Sequence, residues 1–372
     1  LKIQDKHYHT IWLKVGDKRV VQVIDQRKIP FQFEIFDIAT VDEACFAISE
    51  MVVRGAPLIG ITAAFGMYLA VLNSDGSDFE NYIARNAEKL KATRPTAVNL
   101  AFAVDEISNF ILKNKSRNNL HELVFEKVES MKLQEVINSE RIGEFGLSLI
   151  EAIYARTKQT VNILTHCNAG WLACIDWGTA TAPIYKAHLQ GIPVHVWVDE
   201  TRPRNQGARL TAFELGEQGV PHTVIPDNTG GHLMQHGMVD FVIVGSDRTT
   251  AGGDVANKIG TYLKALAAAD NGIPFYVALP SSTFDFTMSD GIREIPIEQR
   301  NVVEVAEIEG IIGGQIQTVR IISEKSPVAN YGFDVTPARL VTGLITERGI
   351  CKANKESILD LFPEQKQIKT QW

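Results

Sequence analysis

Val161-Asn162-Ile163-Leu164-Thr165-His166-Cys167-Asn168-Ala169-Gly170 is the stretch from which the fold is read. An apolar, β-rich run stops abruptly at polar and reactive side chains, then at two small residues. A strand that is apolar along its whole length is buried on both faces, as in a parallel sheet covered by helices. The pattern recurs at Val194–Asp199, His222–Ile225, Phe241–Gly245 and Phe275–Leu279. Between these runs lie stretches of helical spacing: Thr179–His188, Gln206–Gln218 and Val255–Ala268. Strands alternating with helices call for right-handed crossovers and hence an α/β parallel sheet.

Upstream the pattern differs. Thr10–Val15 and Arg19–Ile24 are β-rich and flank Gly16-Asp17, which predicts a hairpin. Thr40-Val41-Asp42-Glu43 has the spacing of a capping box, opening a helix expected to run to about Val53. Helical periodicity then dominates, for example over Val98–Leu112 and Val136–Ala155. Residues 1–145 therefore read as a mainly helical N-terminal domain with a short β-meander, and residues 146–372 as the α/β domain. The apolar run Pro57–Leu72 is broken by Gly60, Thr62 and Gly66 and is shorter than the ~20 residues of a membrane span. It reads as a buried helix, and no membrane association is expected.

Composition narrows the function classes. A net charge of −7 offers no electrostatic footprint for nucleic acid or an anionic membrane. Four scattered cysteines form no C-x-x-C pair and no disulfide scaffold, which fits a reducing, cytoplasmic setting. Residues 1–10 are polar and charged, unlike a secretory leader.

In an open α/β sheet, ligands bind beyond the carboxyl ends of the strands. Here those ends carry His166-Cys167-Asn168, Asp199-Glu200-Thr201-Arg202, Asp227-Asn228-Thr229, Gly245-Ser246-Asp247-Arg248 and Pro280-Ser281-Ser282. Cys167, on an expected strand-to-helix turn, would have its thiol acidified by the helix N-terminus, or would be a small buried hydrophobe. Cys174, four residues into that helix, reads as core. Asp247 would be a desolvated general acid or a salt-bridge partner of Arg248. Gly252-Gly253-Asp254 precedes an expected helix bearing Asn257 and Lys258, a phosphate-type arrangement without the Walker spacing. Arg54 in Arg54-Gly55-Ala56-Pro57 and Arg94 in Arg94-Pro95-Thr96 stand at helix boundaries, where a guanidinium would fork onto phosphate or lie on the surface. Gln206, in the polar loop after Asp199, would reach a sugar hydroxyl or cap a helix. His232 and His236 have i, i+4 spacing but lack the glutamate of the zinc motif, so no metal is expected. Neither a G-x-S-x-G elbow nor a G-x-G-x-x-G turn is present.

Together these blocks closely resemble the methylthioribose-1-phosphate isomerases of methionine salvage. The resemblance covers most of the chain: Asp25-Gln26 through Pro30, Arg54–Ile61, Arg94–Leu100, Thr165–Gly170, Asp199–Arg209, Asp227–Gly231, Gly245–Gly260 and Ser326–Arg339. It implies a small N-terminal domain on a Rossmann-like C-terminal domain, assembled as a homodimer, with no cofactor. It implies Cys167 and Asp247 as the catalytic pair, with Arg54, Gly55, Ala56, Arg94, Gln206, Asn257 and Lys258 holding a sugar phosphate. Ribose-1,5-bisphosphate isomerases share the cysteine and aspartate, but the N-terminal hairpin and Asp-Gln…Pro segment are typical of the methylthioribose enzymes. Regulatory subunits of the translation-initiation exchange factor share the fold and generally lack the pair.

Overall fold

The computed structural model describes residues 1–94 and 97–366. Seven strands form its main sheet, in the order Gly349–Cys351, Gly343–Thr346, Phe275–Ala278, Phe241–Val244, Val161–Thr165, Val194–Asp199 and His222–Ile225. All neighbours are parallel except the edge hairpin of the first two. Counted along the chain, the six parallel strands run 3-2-1-4-5-6 from the His222 edge, the Rossmann order. The chain therefore reverses its direction of travel between Val161–Thr165 and Phe241–Val244. In sheets of this order, ligands bind beyond the carboxyl ends of the two strands at the reversal. Cys167 and Asp247 follow those two strands.

Alternation along each central strand explains the uniformly apolar sequence. Val161, Ile163, Phe241 and Ile243 join one core with Ile142, Ile150 and Ile184. Leu164, Val242 and Val244 point the other way, onto Leu233, Ala265 and Ala268. Both faces are thus covered, as expected for a parallel sheet.

The N-terminal region carries a three-stranded antiparallel meander, Ile11–Lys14, Asp17–Ile24 and Ile35–Ile38, followed by helices. Thr40 and Glu43 form the capping box, but the helix they open, Val41–Ser49, ends four residues before the expected Val53. Ala56–Asn73 is long and apolar enough to cross a membrane, yet 83% of its window is buried. It is the central helix of the N-terminal core, with Leu58, Phe65 and Leu69 in that cluster. Helical periodicity read over Val136–Ala155 belongs to a 38-residue helix, Leu120–Thr157. The division at residue 145 falls inside it. Its side chains change cores along its length: Val124 and Val128 pack with the N-terminal helices, Ile142, Leu147 and Ile150 with the sheet.

Three local expectations are corrected. Val255–Ala268 is not one helix: Val255–Lys258 is a strand paired antiparallel with Phe333–Thr336, and the helix is Thr261–Asp270. Apolar spacing over Val255, Ile259 and Leu266 suits either element, and the pairing partner lies too far along the chain to be read locally. After Cys167 comes no α-helix but a short 3-10 turn, Trp171–Ala173, with the next helix at Ala182–Leu189. Cys174, just after that turn, is fully buried. Gln206–Gln218 divides into a π-turn at Gly207–Thr211 and a helix at Ala212–Glu217.

Candidate active site

Thr165 Oγ1 donates to the Ile243 carbonyl (2.7 Å), tying the two central strands together where they end. Two residues on, Cys167 adopts a left-handed backbone, φ +67°. A non-glycine residue there is strained by about 1–2 kcal/mol and must be held by its surroundings. Its N–H donates to Thr201 Oγ1 (2.8 Å) and its carbonyl accepts from Thr211 Oγ1 (2.7 Å). The helix N-terminus expected to acidify the thiol is absent. Instead the Arg54 guanidinium reaches it, with Nη2 3.8 Å from Sγ while Nη1 donates to Asn168 Oδ1 (2.5 Å).

The loop after Cys167 is shaped by Glu214, a fully buried carboxyl. Its Oε1 accepts from Asn168 Nδ2 (2.9 Å) and Leu172 N (2.8 Å), and its Oε2 from Trp171 N (3.0 Å) and Tyr185 OH (2.9 Å). The Trp171 and Leu172 amides are thereby held by a side chain from another element. Burial pushes Glu214 up to about 7, against those four donors. The phenol can donate or accept, so the cage survives protonation. Gly170 leaves the carboxyl its space, since a Cβ there would lie 1.7 Å from Oε2.

Asp247 is fixed by its own backbone, whose N–H donates to the Ala256 carbonyl (2.9 Å) of the strand bearing Asn257 and Lys258. Burial raises the Asp247 carboxyl above its ordinary range; the Lys258, Arg94 and Arg54 charges pull the other way. Lys258 is lowered by burial, opposed by Cys167 and Asp247. Arg94 is lowered by burial, opposed chiefly by Glu298, whose Oε1 is 3.5 Å from Nη2. Asp247, Arg54, Arg94 and Lys258 thus lie within one another's electrostatic reach, with the Cys167 sulfur beside Arg54. The salt bridge weighed for Asp247 goes elsewhere: Arg248 pairs with Asp285 at 3.3 Å.

The surface alternatives for the cations do not hold, because Arg54, Arg94 and Lys258 are 8%, 7% and 5% exposed. Two buried polar atoms in this region, Arg94 Nε and Gln206 Oε1, have no hydrogen-bond partner among the described residues. Such atoms cost about 1–3 kcal/mol each, and are what a substrate's phosphate and hydroxyl would satisfy. Gln206 makes no helix-capping bond. Asn257 donates from Nδ2 to Thr261 Oγ1 (3.0 Å). Gly55 (φ +95°) and Ala56 open the 18-residue helix, with Gly55 packed so closely that a Cβ would lie 2.5 Å from Ala173. At the helix that starts after Lys258, Asp334 accepts from Gly260 N and Tyr262 N, whereas the Gly55-Ala56 helix start lies beside Arg54, a favourable place for phosphate. Pro95 and Thr96 lie outside the described residues.

Two clusters have metal-type donors, His7 with His9 and Asp176, and His166 with Asp199 and Asp227. In the first, Asp176 is taken by His7, whose Nε2 lies 2.7 Å from Oδ2. In the second, Lys264 Nζ lies 3.2 Å from Asp199 Oδ2. Exposed His232 and His236 lie with tilted rings 4.2 Å apart, and His236 Nδ1 is 2.8 Å from the His232 carbonyl.

Residues 52–353 match the Initiation factor 2 subunit family. A methylthioribose-1-phosphate isomerase of Desulfosudis oleivorans is 58% identical over 360 residues, 96% of this chain and 97% of that protein. One from Desulfatibacillum aliphaticivorans is 55% identical over 98% of this chain and all of its own length. The chain belongs to the methylthioribose-1-phosphate isomerase family. A crystal structure of the Pyrococcus horikoshii 5-methylthioribose 1-phosphate isomerase superposes with TM-score 0.82 at 37% identity, covering 96% of this chain and 97% of that one. An A. fulgidus structure (translation initiation factor eIF-2B, subunit delta) superposes at 0.77 with 35% identity, covering 96% and 100%.

For this isomerase-family chain, the sequence reading missed the residues that hold the site. Glu214, Thr211 and Glu298 carry no local signature, since an acid beside Phe213 and Leu215 reads as the polar face of a helix; Thr201 alone stands among the polar strand-end residues.

Proposed function

We propose that the chain isomerises 5-methylthioribose 1-phosphate to 5-methylthioribulose 1-phosphate, the sugar-phosphate step of methionine salvage, in the cytoplasm and as a homodimer. The observation that carries this reading is Cys167 and Asp247 at the two strand ends of the switch point, inside a buried cluster of three cations. Phosphate on the anomeric oxygen prevents spontaneous ring opening, so the C1–ring-oxygen bond must be broken with help. Asp247, whose carboxyl burial raises above its ordinary range, would donate to the ring oxygen as that bond breaks. Hydrogen then moves from C2 to C1, and the C2 hydroxyl loses its proton to become the ketone. Two routes are open to Cys167. As thiolate it removes the C2 proton to give an enol phosphate, which is reprotonated at C1; or it stabilises the transition state of a direct hydride shift. Arg54, Arg94, Lys258, Asn257 and the Gly55-Ala56 helix start would hold the phosphate, and Gln206 a hydroxyl. None of these steps uses a metal or an organic cofactor.

The second reading, a non-catalytic exchange-factor-like subunit, is favoured by the 35% identity to the A. fulgidus protein. Assaying 5-methylthioribose 1-phosphate and ribose 1,5-bisphosphate side by side separates the alternatives. Turnover of the first is expected; preference for the bisphosphate would move the assignment to the sister activity, and turnover of neither would support the binding protein.

A further inference from the structure

We propose that His166 is a positioning residue that carries a proton on both ring nitrogens, and that as an imidazolium it fixes the spacing between the Cys167 and Lys258 backbones. The proposal rests on the reading above in taking those two residues as the groups to be positioned. His166 is 1% exposed and precedes Cys167 directly. Its Nε2 lies 2.9 Å from the carbonyl of Ile259, the residue after Lys258. A carbonyl oxygen only accepts, so Nε2 must donate. Its Nδ1 lies 2.8 Å from Asp199 Oδ2. That same oxygen faces the Lys264 ammonium at 3.2 Å. A protonated Asp199 could donate to a bare Nδ1, but the Lys264 ammonium beside that same oxygen favours the ionised carboxylate, which can only accept from the ring. Nδ1 therefore donates as well.

The other charged groups around the ring fit a cation. Asp227 Oδ1 is 4.0 Å from Nδ1, while its two oxygens accept from Thr201 N (2.7 Å) and Arg202 N (2.8 Å). Asp334 approaches from beyond Ile259, accepting from Gly260 N (2.7 Å) and Tyr262 N (3.1 Å). Three carboxyls and one lysine thus surround the imidazole, and a divalent ion among His166, Asp199 and Asp227 would be set against Lys264, whose Nζ also donates to the Asp227 carbonyl. The backbone is cut to fit the ring: Gly260 has φ +101°, and a Cβ on it would come within 3.0 Å of Cε1. One ring therefore spans from the end of the Cys167 strand to the end of the Lys258 strand. Neither loop shifts alone without breaking a buried, charge-assisted bond.

Side-chain 1H–15N correlation spectra of the full-length wild-type protein at the assay pH test this directly, with His166 assigned from the signals lost in His166→Gln. Two protonated ring nitrogens are expected; one protonated and one bare nitrogen would overturn the proposal. Glutamine can donate to only one of the two acceptors. His166→Gln should therefore lose about a hundredfold in kcat/KM, with kcat falling and KM rising together, while the protein stays folded. Unchanged turnover per folded molecule would show a merely structural histidine and sink the positioning role. If instead Cys167→Ala kept normal activity, the functional reading would fail while the nitrogen spectrum stood.

Discussion

Replacing Gly170 by alanine should dismantle the loop that carries Cys167, through Glu214. The added methyl would lie 1.7 Å from Glu214 Oε2 and 2.5 Å from its Cδ, so the carboxyl has to leave its cage. Leaving gives up four hydrogen bonds, from Asn168, Leu172, Trp171 and Tyr185. At about 1 kcal/mol net each, the substitution costs about 4 kcal/mol. Glu214→Ala removes the same acceptors and should cost a similar amount. The two losses are one loss, so Gly170→Ala/Glu214→Ala should be little worse than either alone, a coupling of about 3–4 kcal/mol. Urea denaturation followed by tryptophan fluorescence reads this, Trp171 being fully buried in the loop. With a slope of roughly 3 kcal/mol/M, each single variant moves the midpoint down by roughly 1 M. Additive costs in the double variant, or a Gly170→Ala midpoint like wild type, would refute the reasoning.

Arg54→Lys keeps the charge but cannot touch Asn168 and Cys167 from two nitrogens at once; kcat/KM should fall by about 10²-fold, measured by steady-state kinetics. Lys258 is the largest charge holding Asp247 toward its ionised form, and the proposed acid works while protonated. Lys258→Met should raise the Asp247 pKa further and move the alkaline fall of kcat to higher pH; a fall at the same or lower pH would argue against Asp247 as the acid. Isomerisation in deuterated water should place deuterium at C1 if Cys167 transfers a proton and none if hydride migrates, read by mass spectrometry of the product.

Much of the architecture was legible because strands buried on both faces end abruptly. The runs before Cys167 and Asp247 are apolar almost to their ends, and the residues beyond them are polar, so the rim could be read without knowing the strand order. Lys258 reads as helical in the sequence because its strand is defined by Phe333–Thr336, far along the chain, and not by its own spacing. The loop after Cys167 reads as a helix start for a related reason: the carboxyl that holds its amides, Glu214, sits on another element and has no sequence mark of burial. Arg54, Arg94 and Gln206 were readable as polar residues at boundaries, but their burial, which separates a binding group from a surface charge, comes only from tertiary packing.

The central claim is that Cys167 and Asp247 together carry out the isomerisation. Its most direct test is turnover of 5-methylthioribose 1-phosphate by Cys167→Ala and Asp247→Asn, with binding of the substrate measured calorimetrically on the same preparations. Both variants are expected to bind the sugar phosphate with affinity close to wild type and to leave it unconverted. Near-normal turnover by either one would contradict the claim.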